Sequence, residues 1–195
     1  MAAVYLAPWR IDVTVRDSVI DAYGGRRPVS VAPLARAIAS ALDAAGAPSP
    51  ASVGLILADD AELANLNETH LDHEGPTDVL SFPLLPPQSF PPHETGSDPT
   101  TAAASAAAGR GSAVAFAGPP GRRVHVGDIV VSVERAREQA EQGRGGQTGD
   151  VRWSAADELR LLVTHGSLHL CGWDHAEPAE EAAMRQLEQR LLAEK

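Results

Sequence analysis

Eleven residues near the end of the chain, His165-Gly-Ser-Leu-His169-Leu-Cys-Gly-Trp-Asp174-His175, restrict what it can fold into more than any other segment. The run from Ala155 to about Leu170 is apolar enough for a central helix, with Leu159, Leu161, Leu162, Val163 and Leu168 along it. Residues four apart lie on one helix face, so His165 and His169 can grip one ion together. Gly172 suits the left-handed position that ends a helix and reverses the chain. The returning chain then presents His175 as a third nitrogen. Three neutral imidazoles leave one tetrahedral position open, which is the catalytic arrangement of Zn²⁺ and not the closed structural one. An isolated His pair at this spacing is usually surface decoration. Here three of the seven histidines fall within eleven largely apolar residues, where an unpartnered imidazole is costly. His165, His169 and His175 are therefore expected to hold one metal ion, most simply one Zn²⁺ per chain. Cys171 lies two positions after His169, about 200° around a helix of 3.6 residues per turn. Its thiol is expected to point away from the ion and to act as a small buried residue.

Metalloproteases place a general-base Glu directly after the first His of a comparable pair. Here that residue is Gly166, which counts against peptide hydrolysis. Two residues are candidates for catalytic roles. Asp174 could orient an imidazole, as ligating histidines usually require, or could simply form the turn after Gly172. Ser81 could line the cleft with Thr77, or could be a polar residue at a strand end. Asp78 and Asp128 read as strand-edge or capping residues. The Met184, Leu187, Leu191 stripe reads as core, and no organic cofactor site is indicated.

Strand and helix patterns mix along the rest of the chain. Residues 10–16 alternate polar and apolar, as a half-buried strand does. A helix is expected from near Pro33 to shortly after Asp43, stopped by Gly46. Ser52–Leu57 suits a buried strand, and Asp59 or Asp60 caps a helix to about Thr69. Thr77–Phe82 is a strand closed by Pro83. A strand from Val124 leads into a helix to about Gln142, and Glu177–Leu192 is an amphipathic helix. Residues 86–123 are rich in Pro, Gly, Ser and Ala without period, and are expected to form a long flexible insertion. The fold class is α+β: one domain over residues 1–195, with a mixed sheet of about four strands covered by helices.

The 26 acidic against 16 basic residues give a net charge of −10, an unfavourable balance for phosphate neutralisation. Contact with a nucleic acid would need a local basic patch or the metal. Arg110, Arg122 and Arg123 are the basic residues of the insertion. One cysteine permits no internal disulfide, and the N-terminus lacks the pattern of a signal peptide. No apolar stretch approaches the roughly 20 residues of a membrane span. A cytoplasmic enzyme with no membrane association is expected.

The segment HGSLHLCGWDH resembles the signature H-G-x-L-H-L-x-G-[YW]-D-H of the YbeY family of bacterial zinc-dependent endoribonucleases. Gly75-Pro-Thr77-Asp78-Val-Leu-Ser81-Phe-Pro83 resembles the family's T-D-V-L-S-F-P strand, and Gly127-Asp128-Ile129 its G-D-I strand. The matches keep the family's order and spacing from about Asn67 to His175. The resemblance implies zinc on His165, His169 and His175, and an α+β fold around about four strands. It implies a single-strand-specific endoribonuclease in late 16S rRNA 3′-end maturation and ribosome quality control. Its partners would be ribosomal RNA, the small ribosomal subunit and an Era-type GTPase. Leu71 stands where many members carry Arg, so no phosphate contact of that Arg carries over. The ion would either activate water or act as Lewis acid during attack by an RNA 2′-OH, and the residues leave both routes open. Another zinc hydrolase, acting on peptides or small molecules, and a non-catalytic ribosome-assembly factor with structural zinc are the alternative readings.

Overall fold

Alternating buried and half-buried residues along Trp9–Val15 give the strand expected there, β2. The computed structural model describes residues 2–93, 123–143, 153–175 and 177–193. Ahead of β2 the chain forms a further strand, β1 (Ala2–Leu6), antiparallel to it, with Ala2 facing Val13 and Leu6 facing Trp9. β1 makes the sheet five-stranded where about four were expected. None of its residues is buried, so it carries no core signal that the sequence could show. β3 (Ala51–Ala58) runs parallel to β2, and β5 (Val124–Ser132) runs parallel to β3. β4 (Val79–Pro83) pairs antiparallel with β5 and forms the second edge, giving the order β1-β2-β3-β5-β4. Asp128 therefore sits on a central strand. It fills the space beside Gly54, where a Cβ would come within 2.0 Å of its Oδ1, and it pairs with His125 at 3.1 Å.

Parallel neighbours need crossovers. Between β2 and β3 the chain makes α1 (Asp17–Ala22) and α2 (Val31–Ala44). Leu34, Ile38 and Leu42 of α2 are fully buried against Ile11, Val13, Leu55 and Leu57 of the sheet. α3 (Asp60–Leu71) follows β3. Its Asp59 cap accepts from the Glu62 N–H at 2.8 Å, and Arg16 grips the Glu62 carboxylate from the end of β2. α3 covers part of the other sheet face, where Leu63 packs with Ala58 and Val130. α4 (Val133–Glu141), α5 (Ala155–Leu170) and α6 (Pro178–Ala193) complete the described helices. A reciprocal cap starts α5: the Ser154 hydroxyl accepts from the Asp157 N–H, and the Asp157 carboxylate accepts from the Ser154 N–H.

The start of the expected insertion belongs to the body. Pro87–Ser89 makes a 3₁₀ turn, and Phe90 is only 7% exposed within the main core. The rest of that insertion, residues 94–122, lies outside the described residues.

α5 lies close against β4 because Gly166 faces it. A Cβ at Gly166 would stand 2.9 Å from Ser81 Oγ, 3.0 Å from Ile129 Cγ2 and 3.2 Å from Val79 Cγ2. The Ser81 hydroxyl donates to the Gly166 carbonyl at 3.0 Å and fastens strand to helix. This contact sets the last turns of α5 beside the open edge of the sheet.

Candidate metal centre

His165 and His169 project from one face of α5, as their spacing requires, and both are half-buried. The helix then stops at Gly172, whose φ is 82°. Its N–H bonds the His169 carbonyl at 3.0 Å, and the Trp173 N–H reaches the Leu168 carbonyl at 3.1 Å. This is the Schellman closure that a left-handed glycine permits. The reversed chain brings His175, which is exposed, back to the pair. One ring nitrogen from each histidine lies within 4.8 Å of the others, the only such cluster of metal-ligating groups among the described residues.

The donor set fits a metal ion. His165 Nε2 and His169 Nε2 face each other at 3.0 Å, close to the separation of two nitrogens sharing one small cation. The His169 ring stands at 81° to His165 and 85° to His175, while the His165 and His175 rings lie nearly parallel, 15° apart with centroids at 6.0 Å. Burial, reinforced by His165 and His175, pushes the His169 pKa down to about 4. Its imidazole is neutral at physiological pH and keeps a lone pair for coordination. Cys171 is fully buried in the core, with its thiol pushed up to about 12 by burial, as a residue turned away from the cluster should be.

The group that orients His165 comes from α6. Glu188 Oε1 lies 2.6 Å from His165 Nδ1, and the Glu188 side chain is only 12% exposed. With Nδ1–H donating to this carboxylate, Nε2 carries the lone pair and points to its neighbours. The sequence does hold a signal for it. Glu188 sits four residues after Met184 and three before Leu191, inside a stripe otherwise given to core, where a carboxylate needs a partner. Asp174, the candidate orienter, is exposed and accepts from the His175 backbone N–H at 2.7 Å. It shapes the turn that delivers His175. Replacing Glu188 with Ala is expected to weaken zinc binding by about 10- to 100-fold. Glu188→Gln, whose amide oxygen can still accept, should lose much less. Titration against a chromogenic chelator measures both, and equal affinity in wild type and Glu188→Ala would show that α5 alone orients His165.

The histidines stand at one side of a cleft of about 600 Å³ whose other wall is β4 together with the preceding Thr77 and Asp78. Leu85, Pro87 and Trp173 add apolar surface, and among the described residues no Lys or Arg lines it. Of the polar candidates, Ser81 spends its hydroxyl on Gly166, and Asp78 accepts from Gln139 Nε2 at 3.0 Å and from the Val79 N–H at 2.9 Å.

Comparison with known proteins gives a consistent picture. A family model described as Endoribonuclease YbeY matches residues 27–195. The Endoribonuclease YbeY of Synechococcus sp. is 40% identical over 144 residues, which cover 73% of this chain and 65% of that relative. Its counterpart in Salinispora tropica is 39% identical, covering 78% of this chain and 80% of the relative. For Moorella thermoacetica the identity is 36%, with 82% and 83% covered.

Proposed function

The chain belongs to the endoribonuclease YbeY family and is a hydrolase of the nuclease class, and on that premise we propose that it cuts single-stranded RNA using one zinc ion on His165, His169 and His175. In this reading the substrate is ribosomal RNA. The enzyme acts in the cytoplasm on the 3′ end of 16S rRNA, late in maturation of the small subunit and in its quality control, with an Era-type GTPase as partner. The observation that carries the reading is the convergence of three imidazoles beside a cleft walled by an open strand. Among the described residues no helix is long and apolar enough to cross a membrane.

The residues divide the work. His165 and His169 hold the ion from a rigid helix, and His175 closes the set from the turn. Glu188 keeps the His165 proton on Nδ1 and so keeps Nε2 free. β4 positions the strand to be cut against the histidines. When bound, the ion supplies Lewis acidity and positive charge at the phosphodiester. That charge matters here, because among the described residues no cationic side chain lines the cleft to offset a polyanion.

The test is cleavage of single-stranded and duplex RNA oligonucleotides, before and after stripping the metal with a chelator. Cleavage confined to single strands, lost on stripping and restored by one equivalent of zinc, is the expected result. Cleavage that persists after elemental analysis shows the metal gone would overturn the reading, as would a zinc-loaded chain that cuts no RNA.

A further inference from the structure

The open edge of β4 has a composition of donors and acceptors that can be worked out from its register. The Asp78 carbonyl accepts from the Ser132 N–H at 2.9 Å, and the Leu84 N–H donates to the Val126 carbonyl at 2.9 Å. These two bonds flank a continuous antiparallel register in which Leu80 faces Val130 and Phe82 faces Asp128. In such a ladder the residues that bond their neighbour alternate with those that do not. Asp78, Leu80, Phe82 and Leu84 therefore turn their backbone groups toward β5. Val79, Ser81 and Pro83 turn theirs outward, away from the sheet.

The outward N–H groups are then nearly all removed. Pro83 has none, and the Val79 N–H donates to the Asp78 carboxylate at 2.9 Å. Among the described residues, what remains without a partner on this edge is the N–H of Ser81, together with the carbonyls of Val79, Ser81 and Pro83. This edge is poorly suited to pairing with a peptide strand, which needs donors and acceptors in alternation. It suits a chain that brings its own donors and few demands for N–H groups. Single-stranded RNA is such a chain: each nucleotide carries one hydroxyl that can donate and one phosphate that can only accept. The edge also lines the same cleft as the three histidines.

Resting on the reading above, we propose that the open edge of β4 distinguishes RNA from DNA. The Ser81 N–H donates to a phosphate oxygen of the bound strand, and the outward carbonyls of Val79 and Ser81 accept from its 2′-hydroxyls. The discrimination is made by backbone groups.

The experiment uses the full zinc-loaded chain and one single-stranded RNA oligonucleotide with a mapped cleavage site, together with copies carrying one 2′-deoxy nucleotide at each position in turn. Binding is read by fluorescence anisotropy and cleavage by kcat/KM. In the wild type, one or two 2′-deoxy positions beside the cleavage site should each weaken binding by about three- to tenfold, the loss of one neutral hydrogen bond. Ser81→Pro removes the outward N–H at an edge position where proline is tolerated. Ser81→Ala is its reference, since both lose the hydroxyl that bonds Gly166. Ser81→Pro should bind at least about tenfold more weakly than Ser81→Ala, the loss of a hydrogen bond to a charged group. A flat 2′-deoxy scan in the wild type would overturn the proposal without any variant, so a Ser81→Pro chain that failed to fold would not shelter it. Equal binding by folded Ser81→Pro and Ser81→Ala would also overturn it, as would competition by an extended peptide. A wild type that cuts no RNA at all is a failure of the functional reading, and is told apart because the scan then has no cleavage site to refer to.

Discussion

His169→Ala is expected to reduce RNA cleavage to the level of buffer while leaving the chain folded. His169 is the middle one of the three clustered histidines, sharing a helix face with His165 and standing just before the turn that brings in His175. Without it two nitrogens remain, too few to hold a catalytic ion firmly. The helix itself is secured elsewhere, by Leu159, Val163, Leu168 and Leu170, all fully buried, and by the Ser154–Asp157 cap at its start. Alanine also favours the helix over histidine by a few tenths of a kcal/mol. Circular dichroism, zinc content and RNA cleavage should be measured on one preparation. A structural zinc makes the opposite prediction, because such sites supply folding energy directly. Loss of fold together with zinc would favour that reading, and full activity in a zinc-free variant would remove the ion from the reaction.

Gly166→Glu restores the metalloprotease spacing, and it is expected to unfold the chain without creating a peptidase. Position 166 does not face the cleft. It faces β4, with Ser81 Oγ, Ile129 Cγ2 and Val79 Cγ2 all within 3.2 Å of where a Cβ would stand. Even alanine there forces the strand outward, at about 1–3 kcal/mol for an overpacked contact, offset by up to about 1 kcal/mol of helix propensity. A carboxylate would be buried without a partner, costing several kcal/mol more. That is comparable with the whole stability of a typical domain, about 5–15 kcal/mol. Thermal melts should show a modest loss for Gly166→Ala and no cooperative transition for Gly166→Glu. A folded Gly166→Glu chain that hydrolysed a peptide would show that this position can serve the cleft after all, and would reopen the peptidase reading.

The same glycine shows how far the sequence can be read. From the pattern alone, Gly166 registers only as a missing base. Its reason for being glycine lies 85 residues away at Ser81, to whose hydroxyl the Gly166 carbonyl is bonded. Glu188 is similar: its place in an apolar stripe marks it as unusual, but nothing local says that its partner is His165, 23 residues earlier. β1 was invisible for a different reason. Edge strands bury little, and burial is what imprints a period on a sequence.

The sequence by itself determined which three histidines come together. Their positions follow from helix periodicity and one left-handed glycine, which are short-range properties of consecutive residues. The same local rules placed a cap at Asp59 or Asp60 and the limits of α5, while the structure assigns the caps to Asp59 and Ser154. Only the tertiary structure decided what faces those histidines: the carboxylate that orients His165, the strand that walls the cleft, and which backbone groups on that strand remain open. These depend on how distant segments pack and on the register of two strands. A shift of one residue in that register would turn every outward group inward, and no local pattern in residues 79–83 fixes it.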